Sequence, residues 1–193
     1  MDSSPRFVDL ERQLIYLFGE IDDTSAFTVI EGLAEMDPAK NTDIVLCSPG
    51  GYEYAGYSIY DAIMTYPGSV TITCYGSCMS IGVPILQAGT NRILMPNTDV
   101  MVHNGSLEAS GTIEQNQVID LAEQIKKNNE RYYDIICARS GQSRETVQLW
   151  CQKDTFFTAY EAVELGLADV VIPYIKKFPT PKRPKKLKRP PKL

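Results

Sequence analysis

Short apolar runs that stop at small residues, each followed by an amphipathic stretch, set the pattern of this chain. Asp43-Ile44-Val45-Leu46-Cys47 is the sharpest case. It is a fully apolar strand that passes directly into Ser48-Pro49-Gly50-Gly51, after which Glu53 to Thr65 takes up helical spacing. Leu14-Ile15-Tyr16-Leu17-Phe18 reads the same way, closed by Gly19, with a helix expected over Thr24 to Met36 that carries Phe27, Ile30 and Leu33 on one face and ends before Pro38. Val70 to Tyr75 should be strand and Met79 to Ala88 helix, with short strands at Arg92–Leu94 and Asp99–Val102. Strands that alternate with helices need crossover connections, and crossovers make neighbouring strands parallel. The class is therefore α/β with a mostly parallel sheet.

The second half holds a longer element. Thr112-Ile113-Glu114-Gln115 has capping-box spacing, in which the threonine and glutamine satisfy each other's exposed backbone donors. It opens a helix to about Arg139 with Val118, Leu121, Ile125, Tyr132 and Ile136 along one stripe. At ~1.5 Å per residue such a helix spans about 40 Å, longer than a small domain needs. Two readings stay open: a core helix with a solvated outer face, or an arm that packs on another subunit. A second capping box, Thr158-Ala159-Tyr160-Glu161, starts a short helix that Gly166 ends, and Asp169 to Ile172 closes the sheet.

The 193 residues divide into one domain, 1–172, and a tail, 173–193. Six of the 12 prolines and nine of the 19 lysines and arginines lie in that tail, which cannot bury enough apolar surface to offset its ordering entropy and is expected to be disordered. It is either a solvated extension or a dock for an acidic partner. Before Lys176 ten basic residues face 24 acidic ones, an excess that argues against general nucleic-acid affinity. No run reaches the ~18 apolar residues of a membrane span. The start, Met1-Asp2-Ser3-Ser4-Pro5-Arg6, has neither the basic lead nor the apolar stretch of a secretory signal. The five cysteines are scattered and lack zinc-site spacing, so reduced thiols and a cytoplasmic location are expected, or an organelle or virion assembled from the cytoplasm.

The chemistry gathers around the only histidine, His103, which ends the apolar run Asp99-Val100-Met101-Val102. A serine hydroxyl is a poor nucleophile until a neighbouring base takes its proton, and imidazole is the side chain best tuned for that near neutral pH. Ser80 stands 23 positions earlier, in the small-residue segment Gly76-Ser77-Cys78-Met79-Ser80-Ile81-Gly82, at the expected start of a helix whose dipole favours negative charge. The glycines of Ser48-Pro49-Gly50-Gly51 permit backbone torsions that aim an amide into a pocket. All three features follow strands, and parallel strands bring their carboxyl ends together. A carboxylate is needed to orient the imidazole. Asp154 is the best by context, because Phe156 and Phe157 are placed to shield it from water, while Asp99 and Asp134 compete.

Taken together, Ser48-Pro49-Gly50-Gly51, the Gly76–Gly82 segment, Met101-Val102-His103 and the long block from Asp154 to Asp169 resemble the proteolytic subunit of the Clp protease, from about Leu14 to Ile172. The resemblance implies a ClpP/crotonase-like spiral of β-β-α units, with the long helix of residues 112–139 as a protruding handle. It implies Ser80 as nucleophile, His103 as general base, Asp154 as orienting acid, and the amides of Gly51 and Ile81 as the oxyanion hole. It further implies a serine endopeptidase that acts on unfolded polypeptides inside two stacked heptameric rings. Such an enzyme works with an AAA+ ATPase as partner and with no metal or organic cofactor. Asn104 to Gly111 matches the segment along which substrate peptides lie as an added strand. The chain departs from the family at Cys78, usually alanine, and at Asn104-Gly105, usually glutamine-proline. The thirteen or so residues before the first expected strand are fewer than usual, which bears on axial gating. A catalytically silent ring subunit serving as scaffold or adaptor is the alternative. A crotonase-like acyl-thioester enzyme would share the two-amide pocket without needing the Ser–His–Asp set.

Overall fold

The computed structural model describes residues 7–106 and 114–176, the side chain of Phe7 excepted. In chain order the elements are β1 (Phe7–Asp9), β2 (Leu14–Phe18), α1 (Asp23–Glu35), β3 (Thr42–Ser48), α2 (Glu53–Thr65), β4 (Val70–Met79) and α3 (Gly82–Ala88). There follow β5 (Asn91–Leu94), β6 (Asp99–Val102), α4 (Gln115–Ser140), α5 (Arg144–Cys151), β7 (Thr155–Thr158), α6 (Ala159–Glu164) and β8 (Val170–Val171). The protein is α/β, with a mostly parallel sheet and one long helix. The sheet runs β1-β2-β3-β4-β5-β8, and β6 pairs with both β4 and β7. Among the described residues only the β1–β2 and β6–β7 pairs are antiparallel. Ile15, Leu17, Ile44, Leu46 and Ile72 are buried in the sheet beneath Val29, Ile59 and Ile85 of the covering helices. That burial is why the strands carry near-continuous apolar runs.

One irregularity in β4 organises the rest. Leu46 pairs with Cys74 and Ser48 with Cys78, so two steps along β3 match four along β4. The extra residues form a bulge that contains Gly76. Before it, β4 pairs with β5. Beyond it, β4 pairs with β6, in the register Ser77↔Asp99, Cys78↔Val100 and Met79↔Met101. The strand expected to end at Tyr75 thus continues to Met79, because β6 supplies a second partner. The helix expected from Met79 begins only at Gly82.

Helix α4 has two different halves. From Gln115 to Lys127 no residue is buried, whereas Asn128, Tyr132, Tyr133, Ile135 and Ile136 are. Val118 is 52% exposed, and Ile119 and Leu121 are also open, so only the lower part of the expected stripe reaches the core. The helix begins at Gln115, with Glu114 N donating to Gln117 Oε1 at 3.1 Å. Its cap therefore sits two residues later than expected, and Thr112 lies outside the described residues. The Thr158 box forms as expected, Glu161 N donating to Thr158 Oγ1 at 3.3 Å. Three elements have no counterpart among those expected from the sequence: β1, which precedes Leu14–Phe18, β7 and α5. The tail beyond Lys176 is outside the described residues.

Candidate active site

The carboxyl ends of β3, β4 and β6 lie together because the three strands are mutually parallel through β4. Ser80 follows β4 directly and occupies a turn before α3, with φ +52°. A non-glycine residue in this region carries backbone strain of about 1–3 kcal/mol, which persists only where neighbours over-determine it. Here Ser80 N donates to Met101 O at 2.8 Å, and its carbonyl accepts from Val83 N at 2.9 Å and from the Tyr132 hydroxyl at 3.2 Å. β6, α3 and α4 each hold the serine in place. The expectation of Ser80 as the first turn of a helix is corrected to a strained turn between strand and helix, the geometry that pushes a side chain out of the chain's path.

His103 Nε2 lies 2.8 Å from Ser80 Oγ, and His103 Nδ1 lies 3.3 Å from Asp154 Oδ1. An ionised carboxylate only accepts hydrogen bonds, so facing Asp154 it fixes the proton on Nδ1 and leaves Nε2 as acceptor for the serine hydroxyl. The other two carboxylates stand elsewhere. Asp99 begins β6, at the end away from His103. Asp134 accepts from Arg144 Nη1 at 2.5 Å and braces α4 against α5. The aromatic shield expected over Asp154 is absent from its surroundings. The Asp154 side chain is 64% exposed and Phe156 58% exposed, while Phe157 turns inward against Trp150, ring centroids 5.1 Å apart. Successive residues of β7 alternate faces, and it is Phe157, on the face opposite Phe156, that is buried.

Gly50 and Gly51 fit their places for steric reasons. A Cβ on Gly50, at φ +101°, would stand 2.6 Å from Ser80 Cβ, and one on Gly51 would stand 2.2 Å from Ile21 O. Ile21 N donates to Gly50 O and Tyr52 N donates to Ile21 O, both at 2.8 Å, forming an isolated parallel bridge. In such a bridge the central residue's own amide faces away from its partner, so the Gly51 N–H is turned from Ile21. Ile81 follows Ser80 with its side chain buried against Gly56, where a Cβ would come within 2.1 Å of Ile81 Cγ1.

Sequence reasoning did not find the lower half of α4 as part of this site. Asn104 N donates to Cys151 O at 2.9 Å, its side chain accepts from the Tyr133 hydroxyl, and Gly105 N donates to Asn129 Oδ1 at 2.8 Å. Glu53 accepts from Asn128 Nδ2 at 2.5 Å. The signal for Glu53 was its position two residues after the glycine pair. Asn128, Asn129 and Tyr133 had no local signal. Cys78 is buried and donates to Gly82 O at 3.4 Å, joining the end of β4 to the start of α3. No substrate segment can be traced beyond Ser106, since residues 107–113 are outside the described residues.

The sequence model of the family described as Clp protease matches residues 6–174 of this chain.

Proposed function

The chain belongs to the Clp protease family, and on that footing we propose that it is a serine endopeptidase whose nucleophile is Ser80. The observation that carries the reading is the 2.8 Å contact between Ser80 Oγ and the only histidine, made from a serine held at positive φ. His103 Nε2 takes the hydroxyl proton as Ser80 Oγ attacks a peptide carbonyl. The imidazolium that forms is stabilised by Asp154 and returns its proton to the leaving amine. The amides of Gly51 and Ile81 receive the developing oxyanion. Water then attacks the acyl-enzyme, with His103 again as base, and releases the second product.

The exposed upper half of α4 supports assembly. Val118 and Ile119 form an apolar face, open among the described residues, on this half of the helix, suited to packing against another subunit. Two stacked heptameric rings are the expected assembly, with unfolded polypeptide as substrate, an ATP-dependent unfoldase as partner and the cytoplasm as location. A fluorophosphonate probe applied to the assembled protein tests the reading. It is expected to label Ser80 and to fail on Ser80→Ala. Absence of labelling in an assembled ring would leave the scaffold role instead.

A further inference from the structure

Next to Gly51 the fold leaves a cavity of about 290 Å³, walled by Tyr54, Leu121 and Ile125 and edged by Gly105, two positions after His103. Among the described residues its one charged lining group is Glu53. Asn128 Nδ2 donates to Glu53 Oε2 at 2.5 Å, and Gln124 Nε2 donates to Asn128 Oδ1 at 3.0 Å, so a polar chain from α4 orients the carboxylate. Glu53 Oε1 accepts no hydrogen bond, and no cation pairs with the carboxylate, among the described residues. Arg131 is engaged over the Tyr57 ring, 4.9 Å from its centroid, instead. Gly105 leaves the space that Oε1 fills, since a Cβ there would stand 2.4 Å from it. A carboxylate that served only to complement the start of α2 would need neither an adjoining cavity nor an open oxygen.

We propose that Glu53 makes this cavity a subsite for a basic side chain, lysine or arginine, on the residue whose carbonyl Ser80 attacks. The inference rests on the serine-peptidase reading above. The long methylene stem of a basic residue suits the walls of Leu121, Ile125 and Tyr54, while its cationic head reaches Oε1. An apolar side chain of the same length would desolvate the carboxylate and leave it unpaired, which discriminates against it. Charge-assisted hydrogen bonds of this kind separate good from poor substrates by roughly tenfold to a hundredfold.

The test uses the assembled full chain and three fluorogenic peptide amides that differ only in the last residue: arginine, norleucine or glutamate. The arginine amide is expected to exceed norleucine in kcat/KM by about tenfold or more, with glutamate lowest. Glu53→Gln preserves an acceptor for Asn128 and is expected to collapse the arginine-to-norleucine ratio. Glu53→Lys should turn the preference toward glutamate, and Gly105→Ala should lower the arginine ratio by displacing Oε1. A wild-type preference for norleucine, or a ratio unmoved by Glu53→Gln, overturns the subsite. If fluorophosphonate still labels Ser80 in that case, the peptidase reading stands and the subsite alone falls. If nothing is labelled and no amide is cleaved, both fall together.

Discussion

His103 Nδ1 lies 3.3 Å from Asp154 Oδ1 because the two residues stand one step beyond the antiparallel pair Val102↔Thr155. The parallel register of β6 on β4 similarly sets Ser80 just past the pair Met79↔Met101. Two strand registers, meeting on β6, therefore bring together groups 23 and 51 positions from His103 in the chain. Asp154→Asn keeps the shape of the contact but removes the charge and favours the wrong tautomer, so kcat is expected to fall roughly 10⁴-fold with the fold intact. Steady-state kinetics beside a thermal melt check this. Activity within tenfold of wild type would exclude Asp154 as the orienting acid.

Ser80, the proposed nucleophile, sits in a strained turn. Ser80→Gly relieves the φ of +52° and should abolish turnover while raising stability by up to about 1 kcal/mol, the strain released less the extra entropy of glycine in the unfolded chain. In a domain of this size that corresponds to a rise in Tm of about 2–4 °C. A lower Tm for Ser80→Gly than for Ser80→Ala would argue against a strained turn.

Gly50 tests how tightly the turn is held from the β3 side. Gly50→Ala sets a methyl 2.6 Å from Ser80 Cβ and imposes an unfavourable φ. We expect a destabilisation of about 1–3 kcal/mol and a loss of activity larger than the stability loss accounts for, because the displaced atom carries the proposed nucleophilic oxygen. Kinetics at a temperature well below both melts separates the two effects.

The Arg92–Asp169 pair predicts the acid limb of stability. Arg92 is buried. Its Nε donates to Asp169 Oδ1 at 3.0 Å and its backbone N to Oδ2 at 2.7 Å. Partial burial works to raise the Asp169 pKa, but the hydrogen bonds and charge of Arg92 outweigh it and hold the carboxyl below its usual value. Because the folded pKa is lowered, the stabilisation is fully present above the ordinary carboxylate range and is lost as pH falls through the folded value. Asp169→Asn should cost about 1 kcal/mol at neutral pH, since solvent screens the part-exposed carboxylate, and flatten the loss of stability on acidification. Denaturant melts across the acid range measure both; a parallel acid limb in the variant would show that other carboxylates set it.

Assembly is expected to depend on the open half of α4. Val118→Asp with Ile119→Asp removes the apolar face without touching the core, since neither residue is buried. Native mass measurement should find smaller species at unchanged helical content. Persistence of the full ring would place the subunit contacts elsewhere.

Much of the fold was legible because its signals are local. The apolar run of β3 ending in Pro-Gly-Gly, the face of α1 and the Thr158–Glu161 cap each declare themselves within about a dozen residues, the range over which periodicity and turn chemistry act. Those same signals singled out Ser80, the lone histidine and the glycine pair as candidates. Pairing register is not local. The bulge at Gly76 that hands β4 from β5 to β6 is compensated only by a strand some 20 residues away, which is why local signals end β4 at Tyr75 and place Ser80 at the start of a helix. Register also decided which of three aspartates faces His103, and that Asp154 stands open while Phe157, not the carboxylate, is covered. The packing of α4 was equally out of reach. Whether Asn128 meets Glu53, and whether Gly105 leaves room for its carboxylate, depends on contacts across 75 and 52 positions that no periodicity records. The sequence by itself determined the α/β class and the residues capable of chemistry; only the tertiary structure decided which of them meet, because long-range pairing is selected by the packing of the whole core and not by any single segment.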